Sequence, residues 1–113
     1  MTRQTLVLLT MASFAAAAGQ LLFKVGAKGN TALIGFLNMP IAAGLCFYAL
    51  GTGLWIYALS FEKLVNVYAF TALTFVMVYI GGVVILGERL SGMALIGVLV
   101  VLGGLYLIVN NAS

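Results

Sequence analysis

Long apolar stretches, parted by a few charged positions, set the plan of this chain. Its charges are Arg3, Lys24, Lys28, the pair Glu62 and Lys63, and the pair Glu88 and Arg89. Between them lie uncharged runs 4–23, 29–61, 64–87 and 90–113, of 20, 33, 24 and 24 residues. A helix needs about 20 apolar residues to cross the hydrocarbon core of a bilayer. Each run supplies one span. The second is longer than needed, and Asn38 and Pro40 mark where its helix starts, because proline suits a first helical turn. Within a bilayer only helices and closed barrels satisfy their backbones. Barrel strands alternate in polarity every second residue, and these runs do not. The pattern predicts four helices, over about 5–25, 39–60, 65–86 and 91–110.

Polar and aromatic side chains recur on these helices at helical spacing. Ser13, Ala17, Gln20 and Lys24 share a face of the first, with Ala16 beside them. Tyr48, Thr52 and Trp55 do so on the second, and Tyr68, Thr71, Phe75 and Tyr79 on the third. Polar groups facing lipid are costly, so such stripes turn toward protein or a wet cavity. Some have plainer uses. Trp55, Tyr57 and Tyr106 lie near span ends, where aromatics also anchor at the interface. Thr52 and Thr71 can bond their own helix carbonyls. Lys24 can snorkel to the headgroups. Gln20, one turn deeper, has two donors and an acceptor to satisfy.

Composition agrees with a lipid solvent. Of 113 residues, 65% are hydrophobic and 6% charged, against about a quarter charged in soluble domains. Arg3, the apolar stretch from Leu6 and alanines 15–18 also fit the outline of a cleavable signal. The apolar residues continue through Leu21, Leu22, Phe23 and Val25, which favours a span. Cys46 is the only cysteine and is expected to pack as a small apolar residue.

The chain has no histidine and no aspartate, and both glutamates fall in loops between spans. Catalytic triads, histidine metal sites and intramembrane carboxylate pairs therefore have no residues to build from. No phosphate-binding glycine loop is present. The net charge of +3 forms no soluble basic face for nucleic acid. The expectation is a non-enzyme without metal or cofactor: a transporter or a structural membrane partner.

Four spans place the first and last residues on one side, side A, with Arg3 and Lys63. Lys24, Lys28 and Arg89 fall on side B. Orientation follows the excess of Lys and Arg in short loops, and two against three is nearly no excess. Both a single orientation and dual topology, with antiparallel pairing, stay open. Four helices leave little room for a pathway among their own side chains, so a second copy or a sister four-helix subunit is expected. Ala94, Gly97, Val101 and Gly104, at 3-4-3 spacing with Gly103 beside them, form a candidate dimer seam, since small residues let helices approach closely in lipid. The same stripe could pack within the chain.

The segments AGQLLFKVGAKG (18–29), KLVNVYAFTALTFV (63–76), LGERLSG (86–92) and LIGVLVVLGGLYLI (95–108) resemble the drug/metabolite transporter superfamily. The chain is similar to its four-helix, half-size members, the EamA-like and small multidrug resistance proteins. The first helix resembles that of aminoarabinose-phosphoundecaprenol flippase subunits. The resemblance implies an all-α membrane protein, a small multidrug resistance-like bundle of four transmembrane helices working as a dimer in a bacterial inner membrane. Gly97 to Gly104 match the dimer-forming glycines, and Glu88 and Arg89 match a loop motif. One departure bears on mechanism. Aligning Gly19 and Lys24 with their counterparts puts Ala16 where small multidrug resistance transporters carry a proton-exchanging glutamate. A buried carboxylate is what attracts a lipophilic cation and titrates near neutral pH.

The stripes and the resemblance together lead to the expectation of a flippase component, moving a lipid-linked sugar or phosphate headgroup by alternating access. Gln20 and Lys24 would receive the headgroup at the side B mouth. Tyr48, Thr52, Trp55, Tyr68, Thr71 and Tyr79 would bind it deeper in, the lipid tail staying in the membrane. The alternatives are an exporter of small cationic or polar metabolites or drugs, and a non-transporting membrane partner.

Overall fold

The computed structural model describes residues 2–29 and 32–111, with Leu33 described by its backbone only. The described residues form helices α1 (Arg3–Ala27), α2 (Met39–Leu59), α3 (Leu64–Ala69), α4 (Thr71–Val84) and α5 (Gly92–Asn110), with a 3₁₀ turn over Leu33–Phe36. No strand occurs among them. Four helical stretches are long and apolar enough to cross a membrane: α1, α2, α3 with α4 taken together, and α5.

Side-chain caps set the starts of three helices. Thr2 starts α1 by accepting from the Thr5 N–H. Asn38 starts α2 in the same way, accepting from Ile41 N–H at 3.1 Å with Pro40 in the first turn. Its amide also donates to the carbonyls of Gly26 (2.8 Å) and Gly35 (2.9 Å), so one side chain ties α1, the 3₁₀ turn and α2 together. Ser91 caps α5. After α4 the chain reverses at Gly87, whose φ of 71° suits glycine, and Glu88 N–H closes onto the Gly82 carbonyl at 2.9 Å.

The third span departs from the uninterrupted helix over 65–86 that the hydropathy pattern predicts. It breaks at Phe70 and ends at Val84. The Phe70 N–H bonds the Val67 carbonyl at 3.1 Å, three residues back rather than four. Neither proline nor glycine lies between Leu64 and Thr74 to account for it.

α1 and α2 make the closest contact in the molecule. On α1 the buried positions Thr5, Ala12, Gly19 and Gly26 recur every seven residues, and on α2 so do Gly44, Gly51 and Ala58. A seven-residue repeat keeps one narrow stripe facing the partner helix. Here the stripe is made of small residues, so the backbones touch. A methyl placed on Gly19 would lie 2.8 Å from the Gly44 carbonyl oxygen, and one on Gly44 would lie 2.8 Å from the Gly19 oxygen. One on Gly51 would lie 2.9 Å from the Ala12 oxygen. α4 joins through Gly81, whose missing side chain leaves room for Leu21 of α1.

Leu9, Ala58, Val67 and Phe70 form a small core where α1, α2 and α3 converge toward side A, with Trp55, Leu59 and Leu73 packed around it. α5 stands apart. It packs chiefly on α4 and α3 and buries only Val98 and Leu105. The molecule measures 47 × 35 × 18 Å. A closed two-by-two bundle would be about 20 Å across in both directions, from helix spacings of about 10 Å. The protomer is thus spread in one direction. Its radius of gyration is 15.5 Å, against about 13 Å for a compact domain of this length.

Candidate functional site

The seven-residue stripes decide what α1 and α2 turn away from each other. With glycines and alanines spent on the seam, the flanking positions open along one side of the pair. Ala12, Ser13, Ala16 and Gln20 line that side on α1; Tyr48, Thr52 and Trp55 line it on α2. The broken third span supplies the opposite wall, with Tyr68 and Phe70 from before and at the break and Thr71 and Thr74 after it. Together they enclose a groove of about 350 Å³.

Its depth in the span follows from the helices. Ala16 and Thr52 lie near the middles of α1 and α2. Trp55 and Phe70 belong to the groove and to the core packing alike, so toward side A the groove ends on the core. Gln20 and Tyr48 stand at its other end, where the Tyr48 ring meets Phe23 at 6.0 Å. The groove is not closed over: Gln20, Tyr48, Thr52, Tyr68 and Thr71 are all exposed. Among the described residues these five form no side-chain hydrogen bond. Exposed, unpartnered polar groups at this depth are costly against lipid, so the groove calls for a polar occupant, water included.

Six of the eight residues singled out from sequence as substrate-binding line this one groove: Gln20, Tyr48, Thr52, Trp55, Tyr68 and Thr71. Two lie elsewhere. Lys24 is exposed in the last turn of α1, one turn beyond Gln20 and so about 6 Å further toward side B. A cation there also complements the helix dipole. Tyr79 faces a second, apolar cleft with Ile80, Val83 and Val98 between α4 and α5, and stacks on Phe75 at 4.7 Å. Thr71, Phe75 and Tyr79 all stand on α4, past the break, and Tyr79 lies about 80° around that helix from Thr71, which takes it from the groove to the second cleft. The sequence stripe left out Thr74, one turn beyond Thr71, and Phe70 at the break.

Ser13 has a definite bond. It is 3% exposed, and its hydroxyl donates to the Phe70 carbonyl at 3.1 Å. That carbonyl also accepts the Thr74 N–H at 3.1 Å and, more weakly, the Thr74 hydroxyl at 3.4 Å. Trp55 is half-buried against the core, so its ring packs inside the protomer, whereas Tyr57 and Tyr106 are exposed as interfacial aromatics are.

No charged residue lines the groove, and Ala16 stands on its wall. A carboxylate outside the spans has a shifted acidity. Glu62, in the turn between α2 and α3, accepts from the Asn66 amide at 3.0 Å and from Lys63 N–H at 3.3 Å. The Asn66 bond is the main reason its pKa falls below the ordinary carboxylate value. The described residues hold no cluster of His, Cys, Asp or Glu able to bind a metal. Of the small-residue stripe on α5, Ala94 and Val101 are half-buried, and Gly97 and Gly104 are exposed with open space beside them. The glycines of that stripe are unused inside the protomer.

Compared with protein-family models, curated proteins and solved structures, the chain matches none.

Proposed function

We propose that this chain is a flippase subunit of the drug/metabolite transporter type, small multidrug resistance-like and dimeric, that carries a lipid-linked sugar or phosphate headgroup across a bacterial inner membrane. One observation carries the reading. An uncharged groove of hydroxyls, an amide and aromatic rings lies near mid-span, with Gln20, Tyr48, Thr52, Tyr68 and Thr71 exposed along it. Sugar hydroxyls need neutral donors and acceptors, and sugar rings stack on aromatic faces. A lateral opening lets an acyl or polyprenyl chain stay in the bilayer while the headgroup crosses.

The charge placement fits the same substrate. Lys24, one turn beyond the groove, is a point-charge partner for a phosphate at the side B mouth. The partner copy, a second identical chain or a sister four-helix subunit, packs on the exposed Gly97 and Gly104 of α5 as the close-approach surface and leaves a slot beside the groove for the lipid tail. Rocking of the paired subunits alternates access to the headgroup site.

A second reading, export of small cationic metabolites or drugs, is favoured by the convergence of Tyr48, Trp55, Tyr68 and Phe70, since aromatic faces attract cations. It lacks a carboxylate in the groove. Liposome reconstitution separates the two. With a fluorescent polyprenyl-phosphate hexose, Gln20→Leu with Thr52→Val is expected to slow flipping about tenfold, from two lost hydrogen bonds of about 1 kcal/mol each at partial coupling. Flipping unchanged in a folded double variant removes the flippase reading. Saturable quenching of Trp55 by tetraphenylphosphonium, without lipid flipping, establishes the second.

A further inference from the structure

We propose that Ser13 is a positioning residue for the groove: its buried hydroxyl, bonded to the Phe70 carbonyl, ties α1 to the turn between α3 and α4 and so holds Tyr68 and Thr71 on one face. This inference rests on reading the groove as the headgroup site.

Membrane helices bend for a few physical reasons: proline, glycine–serine pairs, π-bulges, or a side chain inserted into the backbone ladder. The first two are absent between Leu64 and Thr74, where no proline, glycine or serine occurs. The backbone bond at Phe70 reaches three residues back, the tight 3₁₀ direction, which is opposite to the π form. The fourth takes a milder form: the Phe70 oxygen keeps its Thr74 N–H at 3.1 Å, and a side chain from outside the helix joins it. That group is the Ser13 hydroxyl, from a helix 57 positions away in the chain, buried, 3.1 Å from the Phe70 oxygen. Thr74 back-bonds the same oxygen at 3.4 Å, a longer contact than the Ser13 bond. Ser13 sits among Ala12, Ala15, Ala16 and Ala17, small neighbours that let the third span come close enough for the bond.

The winding shows what the break does. In an α-helix a residue three places on is rotated by about 300°, and in a 3₁₀ turn by about 360°. The bond from Phe70 N–H to Val67 O puts such a turn between Tyr68 and Thr71. It therefore brings their side chains into line, about 60° from where a continuous helix would hold them. Both line the groove, one on each side of the break, and Ser13 lines it too. Without the Ser13 bond the turn relaxes toward four-residue bonding, and Tyr68 rotates off the wall.

The test reads this rotation directly and needs no substrate. In a Cys46→Ser background, Tyr68→Cys is labelled with a water-soluble maleimide in liposomes, with Lys63→Cys in the preceding loop as reference. Ser13→Ala and Ser13→Gly are expected to lower Tyr68→Cys labelling, relative to the reference, by about threefold or more, the scale set by interhelical hydrogen bonds in membranes. Ser13→Thr, which keeps the hydroxyl, restores it, and Thr74→Val leaves it unchanged. The proposal is overturned if both hydroxyl-free variants, folded by circular dichroism, label like the Ser13 protein. It is also overturned if Thr74→Val has the same effect, or if Tyr68→Cys is unlabelled with Ser13 present. Flipping of the polyprenyl-phosphate hexose is measured alongside. Labelling that follows the hydroxyl while no variant, nor the Ser13 protein, flips lipid sustains the positioning role and removes the flippase reading. Flipping that survives with Ser13→Ala labelling unchanged removes the positioning role alone.

Discussion

Adding one methyl to each side of the α1–α2 seam should cost less than the sum of the two separate additions. Gly19→Ala places a carbon 2.8 Å from the Gly44 oxygen and 3.1 Å from the Tyr48 nitrogen, both backbone atoms that cannot swing aside. Carbon contacts are favourable at about 3.5 Å, so the helices must part by about 0.7 Å or the methyl stays compressed. A gap of that size forfeits about a quarter or more of the dispersion along the seam, and overpacking a tight core costs about 1–3 kcal/mol. Against this stands the helical preference of alanine over glycine, about 1 kcal/mol in water. The net expectation for Gly19→Ala is a loss of about 1–2 kcal/mol. Gly44→Ala should lose a similar amount, because its methyl would press equally on the Gly19 oxygen; the Phe23 ring atoms nearby can move. Once the first methyl has parted the helices, the second finds room. The double variant should therefore fall short of additivity by about 0.5–1 kcal/mol, as coupled neighbours do. Gly53→Ala, whose methyl meets nothing within 4 Å, is the control and should be neutral or mildly stabilising. Reversible unfolding in mixed micelles with increasing SDS, followed by the fluorescence of Trp55, the chain's sole tryptophan, measures all four. Either single variant as stable as Gly53→Ala, or a strictly additive double, would refute the reasoning.

Asn38→Ala removes the α2 cap and the two bonds that hold the ends of α1 and the 3₁₀ turn; an unfolding loss of about 1–2 kcal/mol is expected, with increased amide exchange confined to the α1–α2 connection. Glu62 links stability to pH. Its folded pKa is depressed, so its contribution is complete above the unfolded carboxylate value and is lost as pH falls through the lower folded value. Asn66→Ala, which deletes the main cause, should raise the Glu62 pKa toward the ordinary carboxylate value and flatten the acid limb of stability. A carbon-13 titration of the Glu62 carboxyl checks this, and an unmoved pKa would show that the Asn66 bond is not its cause.

The groove was legible in the stripes at Gln20, at Tyr48, Thr52 and Trp55, and at Tyr68 and Thr71, because a polar side chain amid apolar neighbours has few places to go in lipid. The glycine seam was legible in principle, as a seven-residue repeat of small residues in both α1 and α2. Spacing alone does not say which of two glycine-bearing surfaces meets its own chain. Lys24 and Tyr79 lie off the groove because the first stands one turn beyond its end and the second about 80° around α4 from Thr71, an offset that a loose helical stripe absorbs and a packed cleft does not.

Residue order and type were enough to establish four stretches long and apolar enough to cross a membrane, with polar groups on three of them that share a need for company. Those outcomes rest on transfer from water to hydrocarbon, a quantity summed over local residues. It took the packed molecule to reveal that the third span breaks, that α1 and α2 touch backbone to backbone, and that α5 leaves its glycines unused. These depend on shape and on contacts between distant positions, Gly19 with Gly44 above all, and no local sum contains them.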